Sequence, residues 1–109
     1  MSKLYIAIRE EVSSNKAYKL IAKATTAAHY KFAANKHYKL WLETNPVKQV
    51  CSVTATEFAM LSQLPTVAIT SDESVLDNQP SCIVLAPDPA LPKILPIIKT
   101  LRVWKPNAE

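Results

Sequence analysis

Six lysines and two histidines lie between Val12 and Leu42, with no acidic residue among them. Between Gln49 and Pro92 the balance reverses, with five acidic residues and no Lys or Arg. A block of one sign creates a local field that draws phosphates or an acidic partner, which a net charge of +4 does not do by itself. Wound at 3.6 residues per turn, the block sets Lys16, Lys19, Lys23, Thr26 and Tyr30 within one narrow arc. Lysines spaced this way bind phosphates as point charges, without reading base sequence. The same arc also arises on an ordinary solvated helix face. Tyr30 offers a ring for an unpaired base, or alternatively a surface that packs the following helix. The acidic half contributes Asp72, inside a polar stretch from Ser71 to Pro80 that follows an apolar run. Asp in that setting is either a group that handles water or a turn residue bonding its own backbone.

The composition removes several other chemistries. Glycine is absent from all 109 residues. A Walker-type phosphate loop, a dinucleotide fingerprint and a Gly-x-Ser-x-Gly elbow each need glycine for backbone reasons, so phosphate contacts must come from side chains or helix ends. Cys51 and Cys82 sit far apart in apolar runs, where buried reduced thiols are expected rather than a disulfide or metal ligands. His29 and His37 have no Cys, His or carboxylate at ligand spacing, so neither a metal nor a cofactor is expected. No stretch approaches the roughly 18 to 20 apolar residues of a membrane span, and the first residues do not form a signal peptide. A cytoplasmic protein with no membrane partner is the expectation.

The elements that must position these residues follow from hydrophobic pattern and punctuation. Leu4 to Ile8 reads as a buried strand closed by Arg9-Glu10-Glu11. Ser13-Ser14-Asn15 offers caps for a helix to about Ala34, with Leu20, Ile21, Ala24, Ala28 and Phe32 as its core stripe. A short helix covers Tyr38 to Glu43, and Val47 to Val53 is a second strand. Thr54 or Thr56 caps a helix through Leu64, with Glu57 in its first turn. Thr66 to Thr70 and Ser81 to Ala86 are further strands, and Pro87 to Leu101 reads as a last helix, with Arg102 to Lys105 as an extension. With 49% hydrophobic residues, the chain is expected to form one domain. This order predicts an α/β fold: a three-layer α/β/α domain with a small four-stranded mixed sheet. Should the third strand run parallel to the first, the loop from Ser71 opens at the same carboxyl edge as the long helix, where ligands of open sheets bind. Lys19 and Asp72 then face one cleft.

In this order of elements the chain resembles the type 2 peptidyl-tRNA hydrolase superfamily. Arg9 matches the Arg that ends the family's first strand. With one inserted residue, Lys19-Leu20-Ile21-Ala22-Lys23 falls on the family's Lys-Ile-Ala-Ala-Gln, and Thr26-Ala27 on its His-Ala. Trp41-Leu42-Glu43 followed by a strand also matches. Val67 to Ser74 keeps the family's apolar strand and its Asp, as Asp72. The departures are specific: Tyr18 stands where the family opens its helix with Gly, Lys23 replaces Gln, Thr26 replaces His and Ser74 replaces Gly. Without the insertion Tyr18, not Lys19, falls on the family's Lys.

The resemblance implies hydrolysis of the ester between a peptide and the tRNA 3′ end. It implies that Asp72 orients or deprotonates water and that Lys19 stabilises the oxyanion or holds the terminal ribose-phosphate. Lys16 and Lys23 then bind tRNA phosphates, and Thr26 or Ser74 supplies a hydroxyl. The alternatives are a non-catalytic relative of the same fold that binds RNA or an acidic protein partner, and a homodimer or larger homo-oligomer formed by complementary charge.

Overall fold

The computed structural model of the chain describes residues 3–44, 46–64, 67–71, 79–87 and 101–105. The elements run β1 (Leu4–Arg9), α1 (Ser14–Phe32), α2 (Lys36–Glu43), β2 (Lys48–Val53), α3 (Ala55–Ser62), β3 (Val67–Thr70), β4 (Cys82–Leu85) and β5 (Arg102–Val103). Their order is the one expected from the sequence, with α1 ending two residues before Ala34. Helix α2 begins two residues before Tyr38 because Asn35 caps it, its side chain accepting from the His37 and Tyr38 backbone N–H groups. Thr54 rather than Thr56 caps α3, in a reciprocal box with Glu57: Thr54 Oγ1 accepts from Glu57 N at 3.2 Å, and Glu57 Oε1 accepts from Thr54 N at 2.8 Å.

Five strands, not four, form the mixed sheet, in the order β3-β4-β1-β2-β5. The additional strand pairs antiparallel with β2, setting Val103 opposite Cys51 and Arg102 opposite Ser52, and Trp104 N donates to Val50 O at 2.9 Å. Two residues are too few to show an alternating pattern, which is why the sequence presents this segment only as an extension. Strand β1 is parallel to β2 and antiparallel to β4, and β4 is antiparallel to β3. Strand β3 therefore runs in the same direction as β1. Most of the expected helix from Pro87 to Leu101 lies outside the described residues.

Alternation along the strands sorts side chains to two faces. On one face Leu4, Ile6, Ile8, Ala68, Cys82 and Val84 meet Ala17, Leu20, Ala24, Ala28 and Phe32 of α1 and Tyr38 and Trp41 of α2. On the other, Ala7, Cys51, Val53, Val67, Ile83 and Leu85 meet Phe58 and Leu61 of α3, together with Leu101. Helices thus cover both faces of the sheet. The predicted α1 stripe is buried except for Ile21, which is partly exposed, and Ala17 extends it by one turn. Each buried Leu or Phe contributes about 1.5–3 kcal/mol relative to an exposed one. The small alanines of α1 let the helix lie close to the strands while its other side stays free to carry charge.

Candidate functional site

The shared direction of β1, β2 and β3 puts Arg9, Val53 and Thr70 at one edge, the carboxyl edge, where β4 begins. Backbone bonds fasten this edge: Arg9 N donates to Ser81 O at 3.0 Å, Ser81 N to Thr70 O at 3.1 Å and Glu10 N to Val53 O at 2.8 Å. The Arg9 guanidinium donates from Nη1 to Gln79 Oε1 at 3.2 Å and pairs through Nη2 with Glu11 at 2.6 Å. Its Nε is buried without a partner among the described residues, and so are Thr70 Oγ1 and Ser81 Oγ. Thr70 is 5% exposed and Ser81 0%. Leaving a polar atom buried and unpaired costs about 1–3 kcal/mol each, and such atoms concentrate where a ligand or ordered water completes the bonding. Three of them lie in neighbouring residues at this edge.

The sequence contained a trace of these groups that pattern reading passes over. Thr70 and Ser81 are hydroxyl residues at the inner ends of two apolar strand runs. There a β-branched Thr or a small Ser reads simply as a boundary.

Two surfaces flank the edge. On the α3 side, a cavity of about 480 Å³ opens beside Arg9, lined also by Phe58, Ser62, Ile69 and Gln79. On the α1 side, Lys23 Nζ donates to the Ser71 backbone O at 2.7 Å. This bond ties the lysine face of α1 to the end of β3, as a parallel third strand requires. Lys16, Lys19, Lys23, Thr26 and Tyr30 are all exposed, so the expected arc is present along about 21 Å of helix. Asp72 and Ser74 lie outside the described residues, and with them the expected pairing of Lys19 with Asp72.

Four side chains behave differently from the simplest expectation. Tyr30 is 79% exposed and does not serve as the packing residue for α2. His29 makes that contact instead, its Nδ1 lying 2.9 Å from the Tyr38 hydroxyl. Thr26 Oγ1 donates to Ala22 O at 3.2 Å, so its proton is committed to the helix backbone. Tyr18 packs edge-to-face on Trp104 with ring centroids 5.5 Å apart.

Cys51 and Cys82 are buried free thiols. Burial pushes the Cys82 thiol up to about 12. Burial also raises Cys51, outweighing the lowering effects of the Gln49 hydrogen bond and the Lys3 charge. Neither is a nucleophile near neutral pH, since the thiolate is the reactive form. Among the described residues, no group of three His, Cys, Asp or Glu side chains stands where it could hold a metal ion. No helix among them is long and apolar enough to cross a membrane. No protein-family model matches the chain, and no curated protein matches it in sequence.

Proposed function

We propose that this protein is a peptidyl-tRNA-hydrolase-like esterase that binds tRNA along the lysine face of α1 and cleaves the ester at its 3′ end at the carboxyl edge. The observation that carries the reading is the set of buried, unpaired polar atoms on Arg9, Thr70 and Ser81, at the edge from which the chain runs on to Asp72. The Lys23 bond to Ser71 supports it by joining the phosphate-binding face to the same edge.

In this reading Asp72 accepts a proton from water as the water oxygen attacks the ester carbonyl. Lys19 offsets the negative charge that develops on the carbonyl oxygen. The bond from the carbonyl carbon to the ribose oxygen then breaks, the proton passes to that oxygen, and the products are a free carboxylic acid and tRNA. Thr70 or Ser81 supplies the hydroxyl contact that Thr26, bonded to its own helix, does not.

The test is release of the blocked amino acid from an N-acetylated aminoacyl-tRNA. Wild-type turnover that falls by about 100-fold or more in Asp72→Asn is the expected result, in line with loss of a general base. Undiminished turnover in Asp72→Asn would remove the assigned role.

A second reading keeps the RNA contact and drops catalysis. The packing of Tyr18 on Trp104 favours it, since a ring stands where the resembled family opens its helix with glycine. A folded wild type that binds tRNA with strong salt dependence yet never turns over selects this reading.

A further inference from the structure

A second cavity, of about 420 Å³, lies at the opposite edge of the sheet, between the carboxyl half of α1, α2 and the amino end of β1. Its lining includes Thr26, His29, Tyr30, Tyr38, Trp41 and Lys48. We infer that this cavity is a binding site for one unpaired nucleobase of an RNA strand whose phosphates run along the lysine face of α1. The inference rests on the proposed tRNA reading and adds to it a base contact distant from the ester.

The chemistry of the lining favours a planar, polar-edged ring. Tyr38 and Trp41 are buried with ring centroids 5.5 Å apart, forming a rigid aromatic wall. Tyr30 stands 79% exposed, its ring 6.3 Å from His29 and steeply inclined to it. An exposed aromatic beside a buried aromatic wall is a stacking platform, and every base has a face to stack. His29 supplies an edge contact. Its Nδ1 is engaged with the Tyr38 hydroxyl, and Nε2 has no partner among the described residues. If the tyrosine donates to Nδ1, Nε2 carries a proton and donates to a base; if Nδ1 donates, Nε2 accepts. Lys48, exposed at the start of β2, adds a charge for the adjoining phosphate. The volume suits one nucleotide and is at the small end of ligand pockets.

The distance along α1 fits the same strand. Lys23 and Tyr30 are seven residues apart, about 10 Å of helix rise. A chain held by Lys23 therefore reaches the cavity with its next nucleotides. No acidic residue of the segment from Val12 to Leu42 opposes it.

The test compares binding of a fluorescently labelled adenosine hexaribonucleotide with that of a hexamer of abasic ribose phosphates of equal charge, by anisotropy at low salt. Wild type should bind the base-bearing strand about tenfold more tightly, within the range of one stacked base. Tyr30→Ala and His29→Ala should each remove most of this preference while leaving affinity for the abasic strand unchanged. Tyr30 is exposed, so its replacement leaves the core untouched, and Tyr30→Phe should restore the preference through its ring. His29→Ala also leaves the buried Tyr38 hydroxyl without its partner, so its fold is checked by its urea midpoint. Replacing Lys16, Lys19 and Lys23 together by Ala should weaken both strands alike and keep the ratio. Equal wild-type affinity for the two strands, no binding of either, or a preference that survives both alanine variants would overturn the inference. Turnover of the blocked aminoacyl-tRNA is read separately. Loss of base preference with turnover intact refutes only the cavity, and absent turnover with intact preference refutes only the esterase.

Discussion

The two edges of the sheet treat their polar groups in opposite ways. At the amino edge the buried donors have partners. Trp41 Nε1 donates to Val47 O at 2.9 Å, and Leu4 N donates to the same carbonyl at 3.0 Å. Asn35 caps α2, and the Tyr38 hydroxyl meets His29. At the carboxyl edge Arg9 Nε, Thr70 Oγ1 and Ser81 Oγ are buried without partners among the described residues. The amino edge is thus built as a finished wall around a cavity, whereas the carboxyl edge holds unspent bonding capacity. A preformed wall suits a contact that stacks a ring and meets its edge with a side chain already held in place. Unspent donors and acceptors suit a step in which charge develops and must be met.

The largest effect expected from this contrast depends on pH. Cys82 lies one residue from Ser81 and pairs in register with Ile8 and Thr70, so its environment reports how dry the carboxyl edge is. Its thiol is raised by desolvation from 9.0 to about 12. Between those values the unfolded chain ionises the thiol and the folded chain does not, so stability is full below pH 9 and falls as pH rises toward 12. The expected loss from this group is roughly 1.5 kcal/mol between pH 9 and pH 10.5. Urea unfolding of wild type and Cys82→Ala across that range measures it as the difference in slope, since alanine carries no such proton. Parallel curves would mean that water reaches the thiol and that the edge is not dry.

A smaller effect is expected at the amino edge. Trp41→Phe removes the indole donor and keeps an aromatic ring in the wall. Val47 O still accepts from Leu4 N, so no acceptor is orphaned. The cost should be about 1 kcal/mol, that of one net hydrogen bond. A shift in the urea midpoint at constant m measures it. A loss above about 3 kcal/mol would show that the wall depends on this one bond, and the amino edge would no longer count as finished independently of it.

The sequence disclosed the two edges unequally, for physical reasons. The amino edge rests on long periodic stretches: the α1 stripe from Leu20 to Phe32, the short helix from Tyr38 and the strand runs were all legible because burial repeats at 3.6 or 2 residues. The arc from Lys16 to Tyr30 followed from the same winding. The carboxyl edge is made by strand direction and by isolated residues, neither of which has a period. That β3 runs with β1 was only a condition in the sequence and needed the β4 pairing to decide it. Thr70 and Ser81 were invisible because a hydroxyl at the end of an apolar run looks alike whether it is bonded or not. Strand β5 was missed for its length, and His29 was set aside as a metal ligand without being seen as the bridge from α1 to Tyr38.

Thr70→Val tests the carboxyl edge with the smallest change in folding energy. Valine keeps the branched shape and strand preference of threonine and deletes only the hydroxyl. A structural hydroxyl would be missed, because its partner would be left unpaired at a cost of about 1–3 kcal/mol. Thr70 Oγ1 has no partner among the described residues. Folding stability should therefore stay the same or rise by up to about 1 kcal/mol, the unpaired group's own penalty being relieved. Turnover of the blocked aminoacyl-tRNA should nonetheless fall about tenfold, the value of one hydrogen bond made only when substrate is bound. The two readouts moving in opposite directions is the signature of bonding capacity held for a ligand. Destabilisation above about 1 kcal/mol would instead give Thr70 a structural partner, and the contrast between the two edges would lose one of its three atoms.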